Sequence, residues 1–201
     1  AVAIVAAVLL PFVLGRWSPL VAGGLFLALW VVAATVAAVV QRLRGAPQPT
    51  LAGKLRANSS SWYGMLVAHL GIAVFIVGVT MVNGYQVERD VRLDPGQSTE
   101  VSGWTFTFKG IEPAPGPNYQ AFVGTVEVRR GGALVEVLKP EKRVYAASGQ
   151  SMTEAAIDTR LTGDLYVSLG EPVTPDGVAG AWGVRIYVKP FVDWIWGGCL
   201  L

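Results

Sequence analysis

Four stretches of the chain are dominated by apolar residues, and polar sequence separates them. Residues 20–40 and 62–82 are each long enough to cross the hydrocarbon core of a bilayer, which takes about 20 apolar residues in a helix. Residues 1–14 and 190–201 are apolar but shorter. This pattern predicts two full membrane spans and two cut or partial ones, and we expect the chain to be a fragment of a longer membrane protein.

Between residues 84 and 189 the pattern changes to short runs in which apolar and polar residues alternate. The runs are rich in Val, Tyr, Phe and Thr, as is typical of half-buried strands. Turn sequences separate them, and RRGG at residues 129–132 predicts a β-hairpin. We expect short strands without a helix, arranged as a β-sandwich or a barrel-like domain. The predicted fold class is therefore mixed, with α-helical transmembrane spans and an inserted all-β extracytoplasmic domain.

Charge is distributed as unevenly as hydropathy. The chain is 52% hydrophobic with a mean hydropathy of +0.47, and Arg16 is the only charged residue among residues 1–40. Residues 84–189 contain eleven basic and thirteen acidic residues. This near balance argues against nucleic-acid binding by the β-domain, because such binding depends on a strong positive potential.

The loop between the two full spans determines the expected orientation. It has no acidic residue and four basic ones, Arg42, Arg44, Lys54 and Arg56. Short loops rich in Lys and Arg stay on the cytoplasmic side of a membrane. We therefore expect three regions: transmembrane helices at 1–82 with a cytoplasmic loop at 41–61, a periplasmic β-domain at 83–189, and the start of a returning helix at 190–201.

His69, the only histidine of the chain, lies inside the second full span. Counted from Trp62 at 1.5 Å per residue, it is about 10 Å from the end of that span. Ionisable residues at such a depth are usually functional. The residues alone leave three interpretations open: a neutral histidine hydrogen-bonded to another helix, a proton relay, and an axial haem ligand.

Small residues suggest how the spans pack. Gly64, Gly71 and Gly78 recur every seven residues, nearly opposite His69, and predict a face that lies close to another helix. Cys199 is the only cysteine, which excludes a disulfide within the chain, and we expect it to be a small buried residue of a helix.

Six segments in a fixed order carry a family resemblance: WYGMLVAHLGIAVFIVGV, GPNYQAFVG, LKPEKRVY, MTEAAID, DLYVSLGE and WGVRIYVKPFVDWIW. Together, from about residue 20 to the end, they resemble the C-terminal part of the CcmF family. Members of this family are the large membrane subunit of the bacterial system I cytochrome c haem lyase.

The resemblance implies a part in covalent haem attachment to apocytochrome c in the bacterial inner membrane. The haem chaperone CcmE and other lyase subunits such as CcmH would be partners. It also implies a b-type haem, reduced by quinol and held by two transmembrane histidines, the second of which corresponds to His69. The other histidine and the tryptophan-rich haem-transfer segment correspond to sequence outside residues 1–201, so we assign no catalytic residue.

The helix face around His69 predicts the haem contacts. We expect Met65, Ile72, Ala73 and Ile76 to line the porphyrin edge, and the second nitrogen of a neutral His69 ring to donate a hydrogen bond. The β-domain is expected to dock partners through the loops at residues 113–119 and 174–180. Two other functions stay open: a b-type membrane cytochrome that transfers electrons, and a structural membrane anchor with a docking β-domain.

Overall fold

The computed structural model describes residues 2–173 and 180–201. The chain separates into two compact units, a helical unit of Ala1–Tyr85 with Pro190–Leu201 and a β-unit of Gln86–Lys189. The boundary between them follows Tyr85, whereas the pattern of apolar residues predicts it after Val82. Each unit is described by itself.

The described part of the helical unit contains α1 (Val2–Leu14), α2 (Pro19–Gly45), α3 (Leu51–Arg56), α4 (Ser60–Tyr85) and α5 (Val192–Leu200). Of these, α2 and α4 are long and apolar enough to cross a membrane. The shorter apolar helices α1 and α5 correspond to the two partial spans expected from the sequence.

Both long helices extend beyond the predicted spans. α2 continues to Gly45, and its last turn carries Arg42 and Arg44, where positive charge is stabilised by the helix dipole. The short helix α3 was not predicted. It begins after Thr50, whose hydroxyl oxygen accepts a hydrogen bond of 3.2 Å from the backbone N–H of Gly53. Residues 41–61 are therefore mostly helical rather than a plain loop.

α2 and α4 pack against each other in antiparallel directions. Gly24 lies directly under the side chain of Thr80, and Gly84 lies under that of Val21, with no room for a side chain at either glycine. Tyr85 donates its hydroxyl to the carbonyl oxygen of Arg16 at 3.0 Å, which ties the end of α4 to the turn before α2. Small residues thus allow the two long helices to approach closely.

α4 packs on a second side against α5. A Cβ atom at Gly78 would lie 2.7 Å from the backbone nitrogen of Ile195, and Gly71 faces Gly198 equally closely. These two glycines form the predicted packing face, but the third, Gly64, has open space around it. The expectation for Cys199 was wrong, because its side chain is exposed on α5 rather than buried.

The β-unit contains ten strands among its described residues: β1 (Val87–Leu93), β2 (Ser98–Val101), β3 (Trp104–Pro115), β4 (Tyr119–Arg130), β5 (Ala133–Leu138), β6 (Glu141–Tyr145), β7 (Ser151–Glu154), β8 (Ala156–Asp158), β9 (Asp164–Pro172) and β10 (Trp182–Lys189). One sheet has the order β1-β10-β9-β8. The other has the order β2-β3-β4-β6-β7, and β5 also pairs with β4. All pairs are antiparallel.

The two sheets enclose one apolar core, as the prediction of a sandwich requires. Phe106, Phe108 and Val126 come from one sheet, and Val167 and Ile186 from the other, and all five are fully buried. The predicted RRGG hairpin is present between β4 and β5. Its two glycines have φ values of 56° and 84°, the left-handed conformation that such a two-residue turn needs.

A candidate haem-ligating histidine in the helical unit

The His69 ring is held by its own helix. Its Nδ1 atom lies 2.7 Å from the carbonyl oxygen of Met65, one turn earlier in α4. A carbonyl oxygen can only accept a hydrogen bond, so this contact requires the proton on Nδ1. The Nε2 atom of the neutral ring then carries a free lone pair, which is the form of histidine that binds a metal.

The ring lies at one edge of the contact between α2 and α4. A cavity of about 150 Å³ next to it is lined by Ala34, Thr35 and Ala38 of α2 and by Met65, Leu66 and His69 of α4. The Thr35 hydroxyl donates to the Val31 carbonyl at 2.8 Å, so its proton is already engaged within α2. The surroundings of the ring on this side are small and mostly apolar.

The structure separates the four residues that were expected beside His69. At about 100° per residue, Met65, Ile72 and Ile76 lie within roughly 60° on one side of it, and Ala73 lies on the other side. Met65 and Ile72 are 41% and 52% exposed, and Ile76 is half-buried. Ala73 is only 3% exposed, because that side of α4 packs within the helical unit. Ala73 thus lies apart from the exposed strip, and its contact with the porphyrin edge stays a prediction.

His69 and the apolar residues beside it fit the environment of a haem's axial ligand. His69 itself is exposed, and beside it runs an apolar strip formed by Met65, Ile72 and Ile76. Within residues 2–173 and 180–201 no cluster of three or more His, Cys, Asp and Glu side chains could hold a metal ion. A single imidazole is too few ligands for a bare ion, whereas a porphyrin supplies four nitrogens and needs only axial ligands from protein.

Three residues of α2 beside His69 were not predicted from the sequence as part of the site: Ala34, Thr35 and Ala38. A signal was present, since two alanines four residues apart in a membrane span are typical of close helix contacts. The apolar pattern of α2 does not say which helix it contacts, however. Only the antiparallel pairing with α4 brings these residues to His69.

Of the two loops expected to dock partners, the structure describes the first in full and the second only in part. At residues 113–119, Pro113–Pro115 end β3 and Tyr119 begins β4, which leaves a short turn with Pro117 and Asn118 exposed. The Tyr119 ring packs against Tyr145 and lies under the Arg143 guanidinium. In the second loop, residues 174–179 lie outside the described residues.

Comparison with known proteins places these features in a family. A family model described as the CcmF C-terminal beta-sandwich matches residues 84–190. The cytochrome c-type biogenesis protein CcmF of Pseudomonas fluorescens is 45% identical over 175 residues, covering 87% of this chain and 26% of that protein. CcmF of Escherichia coli K12 is 42% identical over 178 residues, 89% of this chain and 26% of that protein.

The similarity extends to a further curated relative and to a solved structure. The cytochrome c-type biogenesis protein ccl1 of Rhodobacter capsulatus is 40% identical over 194 residues, covering 96% of this chain and 28% of that protein. The chain thus spans about a quarter of the length of these relatives. A solved cytochrome c heme lyase CcmF matches with a TM-score of 0.78 at 18% identity, over 98% of this chain and 31% of that one. At that identity the structural match shows the fold.

Proposed function

Since the chain belongs to the CcmF family of cytochrome c biogenesis proteins, we propose that it is part of a haem lyase subunit in which His69 is an axial ligand of a b-type haem. Family membership favours this function over a separate electron-transfer cytochrome or a plain membrane anchor, because the matched relatives are named for cytochrome c biogenesis.

The observation that carries the proposal is the orientation of the His69 ring. The hydrogen bond from Nδ1 to the Met65 carbonyl fixes the tautomer and limits rotation of the ring. It also makes Nε2 a better electron donor, as hydrogen-bonded imidazoles are in other metal sites. A fixed, neutral imidazole on an exposed apolar strip is arranged to present Nε2 to a flat apolar group.

Each neighbouring residue then has a defined task. Met65 and Ile72 would cover the face of the macrocycle and exclude water, and Ile76 would extend the apolar strip by one turn. The small residues Ala34 and Ala38 of α2 leave space beside the ring, in the cavity that Met65 and His69 also line. A haem bound here would supply one-electron redox chemistry, which the family resemblance assigns to keeping the transferred haem reduced. His69 is the only histidine of the chain, so a second imidazole ligand would come from elsewhere.

We also propose that the chain lies in the bacterial inner membrane, with residues 41–61 in the cytoplasm and the β-unit in the periplasm. The four basic residues within 41–61 support this orientation, since short segments rich in Lys and Arg stay on the cytoplasmic side of a membrane. A reporter active only in the cytoplasm should work when it is fused at Gly45 and fail at Gly132. The opposite pattern would reverse the orientation.

The β-unit is proposed to dock the other components of haem attachment: CcmE, CcmH and the apocytochrome c. Quinol is the proposed electron source. The exposed turn at Pro117 and Asn118 is the described part of the expected docking surface. A photo-cross-linker at Asn118 should capture CcmE or CcmH, whereas one at Arg44 should capture neither. Cross-links from Arg44 alone would contradict the assignment.

The proposed role in cytochrome c maturation is tested by replacing His69 in the full-length protein. His69→Ala should reduce holocytochrome c formation at unchanged protein level, since it removes the ligand but little packing. Leu70→Ala is the matched control, because Leu70 is also exposed on α4 and its side chain is larger. Normal maturation with His69→Ala would remove His69 from the proposed function.

A further inference from the structure

A cavity of about 380 Å³ lies where α2 meets α3, one turn of α2 beyond the residues that line the cavity beside His69. Its walls are the last turn of α2, the bend at residues 45–48, and the end of α3 with the residues that follow it. Two cationic side chains, Arg42 and Lys54, line it together with the amide of Gln48. The proposed haem ligand has no part in this site.

The two cations are positioned by the fold but are not neutralised by it. Arg42 donates from Nε to the side-chain oxygen of Asn58 at 2.9 Å, and Lys54 donates to the Leu43 carbonyl at 2.8 Å. These contacts use one donor of each group, while a guanidinium has five N–H donors and an ammonium has three. Both acceptors are uncharged.

The helical unit has no acidic residue before α5. Its one acidic residue, Asp193, is in the first turn of α5, which packs against α4 at Gly71 and Gly78 and not against the walls of this cavity. Among the described residues, the ion pairs involve neither Arg42 nor Lys54. The cavity therefore has two fixed positive charges and remaining donors, which is the chemistry that recognises a phosphate group.

The position along the helices identifies the source of the phosphate. The cavity lies at the end of α2 and beside the start of α4, where membrane-length helices leave the apolar region. Trp62 and Tyr63 stand at the start of α4, and aromatic residues of this kind concentrate at the headgroup level of membranes. Tyr63 also donates to the Leu55 carbonyl at 2.8 Å, which holds α3 against this end of α4.

We propose that this cavity binds the phosphodiester of an anionic glycerophospholipid such as phosphatidylglycerol. The phosphodiester accepts hydrogen bonds from the remaining donors of Arg42 and Lys54. A basic pocket between membrane helices is a common form of lipid site.

The test measures lipid binding to the purified full-length protein by native mass spectrometry, with size-exclusion chromatography as the check of folding. Phosphatidylglycerol should bind at least about 10-fold more tightly than phosphatidylcholine, a difference of about 1.4 kcal/mol. The double variant Arg42→Gln, Lys54→Gln should lose this preference. The double variant Arg44→Gln, Arg56→Gln removes the same charge from residues outside the cavity wall and should keep it.

Equal losses in the two double variants would show attraction by bulk charge and overturn the proposal. The proposal would also be overturned if inorganic phosphate bound to the cavity and no lipid displaced it, because the site would then belong to a soluble anion.

Discussion

Gly71 of α4 and Gly198 of α5 face each other so closely that neither could be alanine without a collision. A Cβ atom at Gly71 would lie 2.7 Å from the Gly198 carbonyl oxygen, and one at Gly198 would lie 2.6 Å from that of Gly71. The two helix backbones are thus in direct contact, as is common where small residues meet within a membrane. This contact fixes the side of α4 that faces away from His69.

Gly198→Ala should therefore destabilise the full-length protein in detergent by about 1–3 kcal/mol, since the added methyl group forces α4 and α5 apart. The control is Gly197→Ala on the same helix, where a Cβ atom meets nothing within 4 Å. Alanine favours helix over glycine by up to about 1 kcal/mol, so the control should be neutral or stabilising. Melting temperatures that fall equally in both variants would argue against the close contact.

The β-unit should fold as a separate polypeptide of residues 86–189, because its core is built only from its own strands. Circular dichroism should show a β-type spectrum and one cooperative unfolding transition. Phe106→Ala should lower the free energy of unfolding by about 3–5 kcal/mol, as expected for a fully buried phenylalanine. Leu134→Ala, at an exposed position of β5, should change it little. An unfolded wild-type polypeptide would show that the β-unit depends on the helices.

Asp90 of β1 should give the β-unit a specific sensitivity to acid. The Arg185 guanidinium binds both carboxylate oxygens, at 2.6 and 2.8 Å, and these hydrogen bonds lower the pKa of Asp90 below its ordinary value of 3.8. A lowered pKa in the folded state means that the pair stabilises the protein above about pH 4. This stability is lost as the pH falls through the lowered pKa.

The corresponding measurement compares melting temperatures at pH 7 and pH 3. Asp90→Asn should lower the melting temperature slightly at pH 7 and less at pH 3, because the wild type has lost part of the interaction there. The effect is small, since both side chains are exposed. Asp94→Asn, whose carboxylate is 3.8 Å from Arg92 in a looser contact, is the control and should change the melting temperature at pH 7 less than Asp90→Asn does. Equal behaviour of the two variants would contradict a special role for the pair.

Local patterns were sufficient to predict the long helices and the hairpin, but not every strand. β2 has only four residues and gains its pairing from β3 through the turn at Ser102 and Gly103, both with positive φ. The run at residues 153–160 contains no Gly, Pro or Asn to divide it, and the sequence predicts one strand there. In the structure it divides at Ala155, because β7 pairs with β6 in one sheet and β8 pairs with β9 in the other. The residues of a run do not show to which sheet it belongs.

In the candidate site, too, the local sequence pattern identifies a residue or a face but not what packs against it. A lone histidine in an apolar span was enough to select His69, since such a residue is rare and costly. Helical periodicity also places Met65, Ile72 and Ile76 on one side of it, and their contact with haem stays a prediction. It could not show that Ala73 lies against neighbouring structure, because periodicity defines a face of a helix and not the partner of that face.

The central claim is that His69 ligates a haem, and the absorption spectrum of the purified full-length protein tests it most directly. His69→Ala should lose or shift the reduced b-type band and lower the haem content measured as the pyridine haemochrome. His69→Gly should lose the band in the same way, and added imidazole should restore part of it, because free imidazole can occupy the position of the side chain. Leu70→Ala should keep the wild-type spectrum. Native haem content and an unchanged spectrum in His69→Ala would contradict the ligand assignment and leave His69 as a packed, neutral histidine.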